Sequence, residues 1–255
     1  MQNQSVTDLA ERLQRAARVG TAADPADGGS LDLAQAYAVE RAQRALSGQA
    51  GDRVVGYKIG LTSGPARDVF GATEPTAGHL LASRVQEPGT LVAVTALFQP
   101  KVEVEVAFVL ASPLSGPDVT AADVLAATAG VAPAFEIVDT RWSGGPKTLP
   151  MLVADNTNAA GAVLGPRVPV PADLTSVTST LRIGTQTVPG TAAAVLGDPA
   201  EAVAWLVRHL ARSGDRLAAG DIVLSGTLSA PTPIKAGDRL EAEISGVGTI
   251  AADVV

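Results

Sequence analysis

The sequence predicts a β-rich α+β fold behind a helical N-terminal segment. Three observations carry that expectation. Apolar residues recur at helical spacing mainly in the first fifty residues. From Val54 onward, short apolar runs are separated by Gly, Pro, Asp and Thr. Most of those runs lie too close together to leave room for helices between them. A length of 255 residues, 46% apolar and 18% charged, is enough to bury a large core.

The elements follow in order. Residues 5–18 read as an amphipathic helix, with Leu9, Leu13, Ala16 and Ala17 at helical spacing and Ser5 with Asp8 as a capping pair. After a loop rich in Ala, Asp and Gly, Ser30 is expected to cap a second helix ending near Leu46. Strands are expected over 54–60, 91–98, 102–110, 132–138, 160–164, 181–187, 221–228, 240–244 and 249–255. Two helices interrupt them. One starts at Thr120 with Asp123 completing its cap. The other has Asp198 as cap, Pro199 in its first turn and Gly214 as its stop signal. Residues 1–50 thus read as the helical segment and 51–255 as one β-rich unit, with no low-complexity linker between them.

Composition excludes several function classes. Net charge −7 argues against a nucleic-acid or anionic-membrane partner, because both reward clustered Lys and Arg. Without Cys there is no disulfide framework, thiolate zinc site or cysteine nucleophile. Residues 1–20 are punctuated by Asp8, Glu11, Arg12, Arg15 and Arg18 and do not read as an export signal. No apolar run reaches the ~20 residues needed to cross a bilayer. The expectation is a soluble, cytoplasmic protein.

Three clues point to chemistry. On a strand over 102–110, Glu103 and Glu105 share one face while Val102, Val104, Val106 and Phe108 share the other. Like charges about 7 Å apart sit easily only in water or around a cation; the alternative is a half-exposed strand with a wet face. Glu136 lies inside an apolar run that reads as buried, where an ionised carboxylate needs a cation or several hydrogen bonds. A salt bridge to Arg141 or Lys147 would serve. If Glu136 instead meets Glu103 and Glu105, the three make an oxygen-only site of the kind Mg²⁺ or Mn²⁺ prefers. Lys58 shares its strand face with Gly56 and Gly60, which marks either a ligand approach or a lysine snorkelling from a strand end. No phosphate-cradling glycine motif and no nucleophile elbow is present. His209 falls on the capped helix and reads as surface or packing. His79 falls in an expected loop.

In order and spacing, the segments 56–63 (GYKIGLTS), 99–108 (QPKVEVEVAF), 133–138 (PAFEIV) and 153–156 (VADN) resemble the 2-keto-4-pentenoate hydratase family. That family lies within the fumarylacetoacetate hydrolase superfamily and includes the 4-oxalocrotonate decarboxylases. The resemblance implies a mixed β-roll, Mg²⁺ or Mn²⁺ held by Glu103, Glu105 and Glu136, and Lys58 as the active-site lysine. It further implies a substrate pocket lined by Leu61, Thr62, Ser63, Arg67, Asp155, Asn158, Ser225 and Thr227. The implied reaction is hydration of a 2-hydroxy-2,4-dienoate to a 4-hydroxy-2-oxo acid, with the metal stabilising the enolate. A small 2-oxo acid substrate, a homo-oligomer and association with a partner pathway enzyme are implied too.

The sequence departs from the family pattern in the second half of the site. Thr76 stands where an Asp is usual, Arg67 where a Gln is frequent, and Thr157 with Asn158 where a Ser is common. Either the substrate differs, with Arg67 meeting a second carboxylate, or another group such as His79 takes over acid–base work. Three alternatives stay open: a 4-oxalocrotonate-type decarboxylase, an acylpyruvate or fumarylacetoacetate-type hydrolase using His79 with Asp68 or Glu74, and a non-catalytic partner subunit.

Overall fold

The structure, a computed structural model, describes residues 2–255. It opens on α1 (Gln2–Val19) and α2 (Leu33–Gln49). Their apolar stripes, including Leu9, Leu13, Ala36 and Val39, pack on Trp142 and Met151 from much later in the chain. Ser5 lies within the first turns of α1 and does not cap it. Nor does Ser30 cap α2. That role falls to Asp32, whose carboxylate accepts from Gln35 N while the Gln35 side chain accepts from Asp32 N.

Then come β1 (Val54–Gly60), α3 (Gly64–Phe70), β2 (Thr76–Leu81), β3 (Val85–Gln86), β4 (Leu91–Val92), β5 (Lys101–Leu110) and α4 (Ala121–Ala127). Next are β6 (Thr128–Val138), α5 (Leu149–Ala154), β7 (Ala159–Leu164), β8 (Thr178–Ile183), β9 (Gln186–Thr191) and α6 (Pro199–Ala211). The chain closes with β10 (Ile222–Thr227), β11 (Thr232–Pro233), β12 (Arg239–Ile244) and β13 (Gly248–Val254). The caps expected at Thr120 and Asp198 are present.

Several expectations need correcting. The run 91–98 keeps only Leu91–Val92 as strand, because Leu97 N donates to Val94 O and turns the chain. The run 181–187 is two strands of a hairpin turning at Gly184, where φ is +57°. Residues 64–70, for which no element is expected from the sequence, form α3, and His79 lies on β2 rather than in a loop.

One sheet has eight strands, in the order β2-β1-β10-β5-β6-β7-β3 with β11 beside β5; the other runs β4-β13-β12-β8-β9. On one face of the larger sheet, Val102, Val104, Val106 and Phe108 join Leu181, Leu240 and Ile250 of the smaller sheet and Val203 and Leu206 of α6 in the main core. The opposite face is lined by small residues, Ala107, Ala132, Ala134 and Ala162, with Leu80 and Leu224. Those short side chains leave room on that face for longer polar ones.

Candidate active site

Register brings the acidic side chains together. In the antiparallel β5–β6 pair, Glu103 stands opposite Glu136 and Glu105 opposite Ala134. Alternation keeps Glu103 and Glu105 on one face, and cross-strand partners share a face, so all three carboxylates meet on the alanine-lined side. One oxygen from each lies within 4.8 Å of the others, and among the described residues this is the one group of three acidic or metal-ligating side chains so placed. Lys58 reaches the same face, since it pairs with Leu224 and Leu224 with Ala107.

Lys58 does not snorkel. It is 2% exposed, its Nζ lies 3.2 Å from Glu136 Oε1, and it donates to the Thr157 carbonyl at 3.1 Å. Arg141 and Lys147, the other expected partners of Glu136, are engaged with Asp155 and with Gly144 O respectively.

The cluster is short of positive charge. Glu105 Oε2 accepts from Gly226 N at 2.7 Å, but among the described residues no donor reaches Glu105 Oε1 or Glu136 Oε2, and both carboxylates are fully buried. Burial pushes the Glu103 carboxyl up, and pushes Glu105 well up with added repulsion from Glu136 and Glu103. Burial also raises Glu136 to about 7, against the pull of Lys58. For Lys58, burial is outweighed by the attraction of the three carboxylates, which hold its ammonium above the usual lysine range. Buried, unsatisfied carboxylate oxygens converging on one point form a donor set suited to a hard divalent cation.

The neighbouring segments are fitted closely. At Gly226, φ is +116° and a Cβ would lie 2.5 Å from Thr62 Cγ2, so only glycine lets this amide reach Glu105. At Gly60, a Cβ would lie 2.4 Å from Thr157 Cγ2, 3.0 Å from Thr76 Oγ1 and 3.5 Å from Lys58 Nζ. Thr76, opposite Gly60, therefore sits beside Lys58, and its buried hydroxyl has no partner.

The other expected residues divide. Ser225 is buried with an unpartnered hydroxyl, and Asn158 has an unpartnered buried Oδ1. Thr227 stands opposite Glu105, with its hydroxyl donating to Ser229 O. Ser63 caps α3. Arg67 holds the preceding loop by donating to Leu61 O and Thr62 O, Leu61 being in the left-handed region at φ +58°.

Two placements are corrections. Asp155 does not face the pocket; it is fully buried and accepts from Arg141 Nε at 2.5 Å, Arg141 N at 2.7 Å and Thr140 Oγ1 at 3.2 Å. His79 pairs with Tyr57 on the opposite face of the sheet from Lys58, and its Nδ1 lies 2.7 Å from Glu40 Oε1 rather than near Asp68 or Glu74.

Sequence reasoning quoted Asn156 and Thr157 without giving either a role. With Asn158 they form three consecutive left-handed residues, at φ +52°, +49° and +60°. The Asn156 side chain accepts from His79 N and donates to His79 O, and Thr157 Oγ1 donates to Ala77 O. This turn fastens to β2 and presents the Thr157 carbonyl to Lys58. The Asn-x-Asn spacing was the available signal, since Asn tolerates that backbone region.

Comparison with known proteins agrees with this architecture. The fumarylacetoacetate (FAA) hydrolase C-terminal family matches residues 72–255. The chain is 40% identical over 224 residues to the 2-hydroxyhexa-2,4-dienoate hydratase of Comamonas testosteroni, covering 86% of this chain and 85% of that one. It is 38% identical over 255 residues to the TodF product hydratase of Pseudomonas putida, covering 97% and 94%. Among solved structures, 4-oxalocrotonate decarboxylase from Pseudomonas putida G7, complexed with magnesium and adipate, superposes with a TM-score of 0.94 at 29% identity, covering 99% of this chain and 98% of that one. The expected mixed β-roll is borne out, and the chain belongs to the fumarylacetoacetate (FAA) hydrolase C-terminal family.

Proposed function

We propose that this protein is a divalent-metal-dependent lyase that hydrates a 2-hydroxy-2,4-dienoate, or equivalently a 2-oxo-4-enoate, to a 4-hydroxy-2-oxo acid. The observation that carries the reading is the buried face on which Glu103, Glu105 and Glu136 converge beside Lys58. The dienoate hydratase at 40% identity supports it.

Glu103, Glu105 and Glu136 would hold Mg²⁺ or Mn²⁺, which would supply Lewis-acid charge to stabilise negative charge on the substrate oxygens. The remaining work falls to side chains. Lys58 directs two N–H groups at Glu136 and Thr157, and its third is left to hold a substrate carboxylate or deliver a proton to carbon. Thr76 does not ionise at neutral pH, so its hydroxyl orients the incoming water and takes no proton from it. Ser225 and Asn158 offer unpartnered polar atoms to the substrate. Arg67 fixes the pocket wall through Leu61 and Thr62.

A decarboxylase is the second reading, favoured by the near-complete superposition on 4-oxalocrotonate decarboxylase. Loss of CO₂ from a 2-oxo-3-enedioate generates an enolate that the same residues would stabilise. The proposal extends to a cytoplasmic protein, a location the cysteine-free composition permits, that assembles with copies of itself and associates with a partner pathway enzyme, as the family resemblance implies. Light scattering tests the assembly.

A thermal melt with Mn²⁺ and oxalate tests the site, and an upward shift is expected. Decay of the diene absorbance of 2-hydroxypenta-2,4-dienoate then identifies a hydratase, and CO₂ release from 4-oxalocrotonate a decarboxylase. No melt shift together with no turnover on either compound would overturn both readings.

A further inference from the structure

Asn156, of the turn whose Thr157 carbonyl meets Lys58, also lines a cavity of ≈ 320 Å³ bounded by α1, α2, β2 and the start of β7, and Lys58 does not line it. That volume is at the small end of the range for small-molecule sites, about 300–1,000 Å³. No carboxylate of the proposed metal site lines it. Leu13, Leu46, Leu80, Leu97 and Ala160 give its walls an apolar share, beside polar side chains that include Gln14 and Ser47. The buried polar groups on its floor are mostly committed: Arg141 to Asp155, Asp139 to the amides of Phe98 and Gln99, and Gln43 to Ala154 O. Asp52, at the edge, accepts from Ser83.

Among its titratable side chains, three have capacity to spare. His79 lines the cavity with Nδ1 fixed on Glu40 at 2.7 Å. A carboxylate only accepts, so Nδ1 carries the proton in that bond and Nε2 is left to meet the cavity. No protein partner meets Nε2, and it is absent from the fully buried unpartnered atoms, so it opens onto the cavity. At the rim, Arg18 and Arg84 are exposed and, among the described residues, neither has an ion-pair partner. An oriented ring nitrogen at the floor, leucines in the walls and two cations at the mouth match one kind of molecule, with a hydroxyl (which serves a ring nitrogen as donor or as acceptor) at one end, an apolar body and a carboxylate at the other.

We propose that this cavity is a second binding site, separate from the metal cluster, for a small hydroxylated carboxylic acid. The chain has two histidines, His79 and His209, so imidazole NMR signals report on it directly. The full chain, saturated with Mg²⁺ and oxalate to occupy the proposed active site, is titrated with 4-hydroxybenzoate. The expected result is a saturable shift of the His79 signals with His209 unmoved. Benzoate, which lacks the hydroxyl, and 4-hydroxybenzyl alcohol, which lacks the charge, should each bind at least tenfold more weakly. Exchanging both rim cations (Arg18→Gln with Arg84→Gln) should weaken 4-hydroxybenzoate tenfold and leave the alcohol unchanged; these exposed positions leave folding intact, which a melt verifies.

Unmoved His79 signals at millimolar ligand, equal shifts of both histidines, or indifference to the Arg exchanges would each overturn the proposal. So would a complex that light scattering shows to be split by Ala50→Trp at the mouth while 4-hydroxybenzoate does not bind, since the occupant would then be a second copy of the chain. Failure of oxalate and the metal to shift the melt, with the His79 response intact, would count against the lyase reading alone.

Discussion

Glu105 is fully buried with a single hydrogen-bond donor for its carboxylate. Its one donor is the Gly226 amide, and burial and two acidic neighbours all oppose its charge. Glu105→Gln keeps an oxygen for Gly226 N–H and removes the repulsion. It is expected to raise the melting temperature of the metal-free protein while abolishing the shift that Mn²⁺ produces, a pairing that calorimetry with and without the ion checks. Lys58 behaves in the opposite way. Lys58→Met leaves Glu136 buried without its cation, a change that costs about 3–5 kcal/mol when the orphaned group stays charged. Glu136 already tends toward about 7 with Lys58 present, so without it the carboxyl holds its proton to still higher pH. The deficit of Lys58→Met in urea unfolding is therefore expected to be larger at pH 8.5 than at pH 6, with turnover lost at both. An equal deficit at the two pH values would mean that Lys58 and Glu136 are not coupled.

Among the elements, the Asn156–Asn158 turn does what a strand would otherwise do. It borders β2, satisfies the His79 backbone through one side chain and sets the carbonyl that Lys58 donates to. Asn156→Ala removes both hydrogen bonds to His79, each worth about 1 kcal/mol, and forces alanine into a left-handed conformation costing about 1–2 kcal/mol more. A loss of about 3 kcal/mol in urea unfolding is expected. Gly60→Ala should divide differently: its methyl strikes side-chain atoms of Thr157 and Thr76, which can shift, so turnover should fall further than stability. Steady-state rates beside melts distinguish the two.

These elements also show what was legible beforehand. The alternation that pairs Glu103 with Glu105 needs only the local period of two, and burial of Glu136 follows from its apolar neighbours. The register that sets Glu136 opposite Glu103 is a long-range fact. His79 and Asp155 were misplaced for the same reason: which sheet face a residue occupies, and whether Arg141 is spent on it, depends on packing between distant segments. The hairpin at Gly184 was hidden inside an apolar run, because a glycine within such a run also fits a strand interior.

For the whole molecule, the cluster couples stability, pH and metal. Glu136 has a folded-state value of about 7, above the ordinary glutamate value near 4.3 in the unfolded chain. The folded state thus binds more protons than the unfolded one between those limits, and stability falls as pH rises through that window. The favourable contribution is complete below the unfolded value and gone above the folded one; Glu103 and Glu105, displaced the same way, steepen the fall. A divalent ion reverses the trend, because it binds the ionised carboxylates and competes with their protons. In EDTA the melting temperature should therefore decline from pH 5 to pH 8. In saturating Mn²⁺ the difference between metal-bound and metal-free melts should widen across the same range. An ion at a hundred times its dissociation constant adds about 2.7 kcal/mol, worth roughly 5–10 °C for a chain of this size, and that gap should appear near pH 8 and shrink toward pH 5. A metal-free melting temperature that climbs from pH 5 to pH 8 would mean the three carboxylates are not clustered in the folded protein. A gap independent of pH would mean that the ion binds elsewhere.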